Sequence, residues 1–205
     1  MAHAYPVTFE VDYPDRKLNR LTSFFRLFTA IPIVLLFTAI GGLTVVDGSS
    51  DTTTVVASGS ALLVLPPLLM LVVRRKYPRW WYDFNVELLR FQNRVGVYVA
   101  LMDDRYPSTE DRQSVHLDLP EPSNLNRWLP LVKWLLAIPH YVALVVLYIG
   151  GLFAVLVAWF AILFTGRFPR GLFDYLVGVG RWTNRVTAYA FLLVTDQYPP
   201  FRLAA

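Results

Sequence analysis

The chain of 205 residues contains no cysteine, so disulfides, thiol nucleophiles and thiolate metal sites play no part in it. Histidine is almost as scarce. His3, His116 and His140 are the only three and lie far apart, which argues against a histidine-rich metal centre. Charge is thin as well: Asp, Glu, Lys and Arg make up 17% of the residues, against about a quarter in an ordinary soluble domain. It vanishes altogether from 27–46, 52–73 and 134–166.

Hydrophobic residues account for 55% of the chain and aromatics for 15%, with a mean hydropathy of +0.43. That balance points toward lipid. A helix crossing the roughly 30 Å hydrocarbon core needs about 20 apolar residues, and the first two uncharged runs each fit one crossing. Pro32, Pro66 and Pro67 fall inside them as kinks that membrane helices tolerate. The polar stretch DGSSDTTT separates them. The third run is too long for one crossing, at about 50 Å as a single helix, and short for two.

An internal repeat offers a way to divide it. Asn19-Arg20-Leu21, Arg26-Leu27 and Ala30-Ile31-Pro32 recur as Asn126-Arg127-Trp128, Lys133-Trp134 and Ala137-Ile138-Pro139. Gly41-Gly42 answers Gly150-Gly151, and Tyr77-Pro78-Arg79 answers Phe168-Pro169-Arg170. Asp83, Arg90, Asn93, Arg94 and Tyr98 answer Asp174, Arg181, Asn184, Arg185 and Tyr189 without a gap. Each half closes on Asp-x-Tyr-Pro, at Asp104 and at Asp196. Insertions are cheapest at exposed tips, so the polar insertion after Gly41-Gly42 makes both Gly-Gly pairs the tips of hairpins.

This reading predicts an all-α integral membrane protein with four transmembrane helices, built as two tandem parallel repeats over 1–107 and 108–205. Each repeat holds a short cytoplasmic strand (around Val7–Asp12 and Val115–Leu119), a transmembrane hairpin, and an interfacial amphipathic helix (about 79–102 and 170–194). Every Lys and Arg then lies on one side, which by the positive-inside rule puts both termini and the centre in the cytoplasm. The charged start MAHAYPVTFEVDYPDRK reads as no cleavable signal.

The motifs A-I-P, F-T-G-R-F-P-R-G-L-F-D, R-W-T-N-R-V-x-A-Y and T-D-Q-Y-P-P-F resemble a bacterial membrane family known only as domain of unknown function 4389. The resemblance covers a full copy from about Asn126 to Phe201 and a more divergent first copy, where Trp80-Trp81-Tyr82 replaces Gly-Leu-Phe. It implies an integral protein of the bacterial inner membrane and supplies no activity, cofactor or site residues.

On a helix, Asp83, Arg90, Arg94 and Tyr98 share one face, as do Asp174, Arg181, Arg185 and Tyr189. Two readings stay open for this stripe. In one, Asp83 and Asp174 form structural ion pairs with arginines. In the other, Arg90, Asn93, Arg94 and Tyr98, with Arg181, Asn184, Arg185 and Tyr189, bind lipid headgroups or another anion through guanidinium forks. His140 reads as an interfacial histidine facing headgroups. No nucleophile–base set and no nucleotide motif is visible. The expected function is therefore non-enzymatic, with no cofactor or metal: binding of anionic lipid or a partner protein at the cytoplasmic membrane face. An oligomeric channel or transporter subunit is the alternative and a lipid-modifying enzyme a third. Membrane lipids are the expected partners, a homo-oligomer or membrane-protein partner is the further candidate, and nucleic acid is not expected.

Overall fold

A computed structural model describes residues 5–41, 59–74, 76–111, 113–123 and 125–205. The elements run β1 (Thr8–Val11), α1 (Arg20–Phe24), α2 (Arg26–Gly41), α3 (Gly59–Arg74), α4 (Arg79–Val99), β2 (Val115–Asp118), α5 (Pro130–Leu136), α6 (Ile138–Thr165) and α7 (Arg170–Ala190).

The sequence explains where α4 and α7, of 21 residues each, begin and stop. Pro78 and Pro169, both extended with φ −64°, precede α4 and α7, and a fixed proline φ suits a helix entrance. Shortly after each helix a leucine turns left-handed, Leu101 at φ 64° and Leu193 at φ 58°. Such a φ is costly for leucine, but both side chains are buried. The returning Met102 N–H also closes the turn on the Val97 carbonyl at 3.0 Å. α6 ends by the commoner route, at left-handed Gly166.

β1 and β2 pair antiparallel with Phe9 opposite Leu117. Both of these side chains are buried, whereas Glu10, His116 and Asp118 face outward, the period-two pattern of a ribbon covered on one face. The covering layer is α4 and α7. Phe9 and Leu117 join Leu89, Val97, Phe173 and Val177 in the largest hydrophobic cluster. On its other side α7 runs antiparallel to α6: Trp182 meets His140 at 3.0 Å while Tyr175 reaches the Leu147 carbonyl at 2.8 Å.

The architecture corrects the four-span expectation. It is a mixed helical fold with a two-stranded sheet, and among the described residues one helix, α6, is long and apolar enough to cross a membrane. The hairpin expected at Gly150-Gly151 does not exist, because α6 passes straight through both glycines. A Cβ on Gly150 would lie 2.5 Å from the Tyr175 hydroxyl and one on Gly151 3.5 Å from Leu176. These glycines are notches that let α7 approach, not a turn. Helix-interior glycine costs only about 1 kcal/mol each, which tertiary packing overrides. At 28 residues α6 is about 42 Å long, with Lys133 before it and Arg167 and Arg170 after it. The one-sided placement of basic residues, which rested on a hairpin, goes with it.

The first half differs. α2 and α3 are separate helices of 16 residues each, and the polar stretch DGSSDTTT lies outside the described residues. α7 is also not an interfacial surface helix, since it is packed between α6 and β1 and buries residues around much of its circumference.

Candidate functional site

α4 and α7 meet at an amide pair. Asn93 Nδ2 donates to Asn184 Oδ1 and Asn184 Nδ2 donates to Asn93 Oδ1, both at 2.8 Å. The second hydrogen of each amide goes to a carbonyl one turn back, Leu89 and Gly180, again at 2.8 Å. Both donors of both amides are thereby used.

The arginines flanking this pair reach across to the sheet and to the arms that follow the helices. Arg90 Nε donates to the Leu117 carbonyl of β2 at 3.2 Å, and Arg181 Nε to the Phe9 carbonyl of β1 at 3.1 Å. Arg90 also pairs with Glu87 at 2.6 Å, and Arg181 donates to the Leu203 carbonyl at 3.0 Å. Arg94 Nη1 holds the Ser108 carbonyl at 2.7 Å. Arg185 holds the carbonyls of Arg202 and Ala204 at 3.1 and 2.8 Å.

Arg185 is buried and forms no ion pair among the described residues. Burial lowers its pKa from the ordinary arginine value, and the nearby Arg202 and Arg181 push the same way. Tyr5, whose ring lies 5.8 Å from that guanidinium, has its phenol pKa raised by burial. The carboxylates expected to pair with these arginines stand elsewhere. Asp83 and Asp174 are exposed, and neither forms an ion pair among the described residues.

Tyr98 and Tyr189 belong to a different pair of sites, which the sequence reading missed. Arg26, buried, lies 4.0 Å above the Tyr98 ring and donates to Asp104 at 2.6 Å. Asp104 also accepts the Asn19 backbone N–H at 2.7 Å, and the Tyr98 hydroxyl meets Thr29 at 2.8 Å. Lys133, fully buried, lies 5.2 Å from the Tyr189 ring and 2.7 Å from Asp196. It donates to the Thr195 carbonyl at 2.7 Å, while Asp196 accepts the Asn126 N–H at 2.6 Å. Burial lowers the Lys133 pKa, and Asp196 offsets part of that. The signal was present in the sequence: each cation stands four residues before the alanine of Ala-Ile-Pro and both acids open Asp-x-Tyr-Pro. Nothing in one sequence links the two motifs in space.

His140 does not face headgroups. It is buried, accepts the Trp182 indole N–H at 3.0 Å and stacks 4.0 Å from Phe201. Among the described residues no cluster of three or more His, Asp or Glu side chains is placed to hold a metal ion.

Between α4, α6, α7 and β1 lies a cavity of about 560 Å³. The amide pair forms part of its wall, with Gly96, Val155, Leu152 and Leu176 among the other lining residues.

Residues 128–202 match a family described as a domain of unknown function, DUF4389. The match spans a little over a third of the chain. No curated protein and no solved structure matches.

Proposed function

We propose that the protein is a non-enzymatic membrane protein that contacts anionic lipid through basic residues at the end of α6. The outward face of α6 carries this reading. Its most apolar stretch has a mean hydropathy of 2.5, and only 22% of that stretch is buried within the protein. The core helix of a soluble protein would be covered by its own fold. Here Val142, Val146, Ile149, Leu152, Phe153 and Phe164 are all at least half exposed, which makes a continuous apolar stripe that water does not tolerate on an unpartnered surface.

The charges at the end of the stripe suit an anionic interface. Arg20 donates to the Phe164 carbonyl at 3.0 Å, and Lys17 and Arg20 both approach Gly166, the C-cap of α6. Lys17 and Arg167 are exposed and form no ion pair among the described residues. Each such cation near an anionic leaflet contributes about 1 kcal/mol.

The same reading takes 1–107 and 108–205 as two copies of one unit. The paired sites support it: Asn19, Arg26, Tyr98 and Asp104 make the contacts that Asn126, Lys133, Tyr189 and Asp196 make.

Flotation of the full chain with vesicles tests the proposal. The protein should float with both neutral and phosphatidylglycerol-containing vesicles and resist carbonate extraction. Lys17→Gln with Arg167→Gln should reduce the preference for the anionic vesicles by about 5-fold per residue. Release by carbonate, or a preference unchanged in the double variant, would refute it.

A further inference from the structure

The cavity beside the amide pair supports a reading that deepens the membrane assignment and rests on it: we propose that it holds one acyl chain of a membrane lipid. Its size, about 560 Å³, falls within the roughly 300–1,000 Å³ of small-molecule pockets. Not one of its lining residues carries a formal charge, which leaves a phosphate, carboxylate or ammonium without a counter-ion there.

Most of its polar side chains are already hydrogen-bonded, and only the Gln92 amide and the Thr187 hydroxyl of the lining make no side-chain bond among the described residues. Asn93 and Asn184 use all their amide hydrogens on each other and on their own helices. The Thr183 hydroxyl is shared between the Val179 carbonyl and the Tyr148 hydroxyl, both at 2.8 Å. A polar ligand would lose its water and gain few replacement bonds. Hydrocarbon loses nothing.

Gly96 adds a second observation. It sits in the interior of α4, lines the cavity, and has no heavy atom within 4 Å of the place a Cβ would take. Helix-interior glycine costs about 0.5–1 kcal/mol relative to alanine. No close packing accounts for it here, unlike Gly180, where the Phe9 ring fills the space.

The wall also fixes the route of entry. Leu152 and Tyr148 line the cavity and still stand 71% and 50% exposed on α6. The cavity therefore opens sideways onto the stripe assigned to the bilayer, and a chain can enter without crossing water. A helix from a second copy is too bulky. At about 10 Å across and 5.4 Å per turn, one turn occupies about 400 Å³, so the cavity would take little more than a single turn.

The experiment uses the full chain in vesicles containing phosphatidylcholine with a photoactivatable diazirine on one acyl chain. Cross-linked peptides are mapped by mass spectrometry. Peptides covering Gly96 and Val155 should be labelled, and Gly96→Phe should cut that labelling at least 5-fold while labelling of the outward α6 face persists. Gly171→Phe, at a glycine that also has open space around it but lies outside the cavity, should leave labelling unchanged. Gly96→Leu serves the same purpose as Gly96→Phe if the aromatic variant unfolds. Labelling of the outward face alone, or equal labelling in both phenylalanine variants, overturns the acyl-chain site. Cross-links between two copies, formed by a bifunctional diazirine reagent in a parallel sample and abolished by Gly96→Phe, overturn it too, by assigning the cavity to a second copy. Wild-type protein that floats but shows no cavity labelling defeats this inference alone, whereas protein that does not float defeats the membrane reading and the inference with it.

Discussion

Replacing Asp196 by Asn should cost more stability than replacing its partner Lys133 by Met, although both changes break the same ion pair. The two charges sit 2.7 Å apart. At an effective dielectric of about 20 their attraction is about 6 kcal/mol, set against desolvation of several kcal/mol per ion. The net worth of the pair is therefore small, and what matters is which group each substitution strands. Lys133 has no exposed side-chain surface, whereas Asp196 keeps 27%. Asp196→Asn removes the counter-charge and leaves a buried ammonium facing only neutral acceptors, the Thr195 carbonyl and the amide oxygen of the new side chain, which places the loss at about 3–5 kcal/mol. Lys133→Met leaves the buried Asp196 Oδ1 without its partner, in a side chain that keeps some exposed surface and still accepts the Asn126 N–H through its other oxygen, for about 1–3 kcal/mol. Tryptophan fluorescence during heating in detergent reads the difference. For a chain of this size 3–5 kcal/mol corresponds to a fall in Tm of about 6–20 °C. The double variant, with neither charge, should recover part of the Asp196→Asn loss. An Asp196→Asn variant no less stable than Lys133→Met, or a double variant no better than Asp196→Asn, would refute the reasoning.

Gly180→Ala should destabilise by about 1–3 kcal/mol despite gaining about 1 kcal/mol of helix propensity, because its Cβ would lie 2.7 Å from the Phe9 ring, which is buried under the sheet. Gly96→Ala in the same melts should move the other way, and a matching sign for the two would contradict the packing described. Arg90→Gln with Arg181→Gln should lower Tm whether or not anionic lipid is present, since both guanidiniums hold strand carbonyls; a loss of lipid retention at unchanged Tm would instead make them headgroup ligands. Stability should also turn over at alkaline pH. Tyr5 and Tyr77 have raised pKa values through burial, so the unfolded chain loses their protons from about pH 10 while the folded one keeps them, and stability falls above that point. The lowered Lys133 pKa acts in the opposite sense: the cost of its buried charge is relieved as pH rises from that depressed value toward 10.5. Denaturation followed from pH 8 to 12 should show a decline above pH 10 that is shallower in the Tyr5→Phe, Tyr77→Phe variant, and an unchanged slope would exclude those two phenols.

The fold was legible wherever a local pattern decides the structure. Alternation at Thr8–Val11 and Val115–Asp118 marked the two strands, and a proline just before each amphipathic stretch marked the starts of α4 and α7. The hairpin failed because a Gly-Gly pair has two uses that look alike in sequence. Glycine permits a turn, but it also permits another element to come close. Tyr175 and Leu176 decide between these at Gly150 and Gly151, and they stand some 25 residues downstream. Composition carried the apolar runs correctly but not their number of crossings, since a run of about 33 residues suits a long, partly packed helix as well as two short ones.

The candidate site was legible as a face but not as a set of contacts. Arg90, Arg94, Arg181 and Arg185 do fall on the helix stripes that 3.6-residue periodicity assigns them. Their partners, however, are mostly backbone carbonyls: Leu117, Phe9, Ser108, Leu203, Arg202 and Ala204. A carbonyl acceptor is present at every residue and so leaves no trace in a side-chain pattern, whereas the carboxylates Asp83 and Asp174 offered a visible and misleading choice. The guanidinium, with five donors in a planar fork, fits such acceptors because it can hold the exposed edge of a strand and a chain terminus at once. Arg181 does this, joining β1 at Phe9 to the terminal arm at Leu203. Arg90 binds β2 in the same manner, so the sheet is fastened to α4 through one strand and to α7 through the other. The amide pair then fastens α4 to α7. These three links close a ring of polar contacts around an apolar centre, and the cavity lies where β1, α4 and α7 of that ring meet α6, beside the apolar stripe of α6 proposed to face lipid.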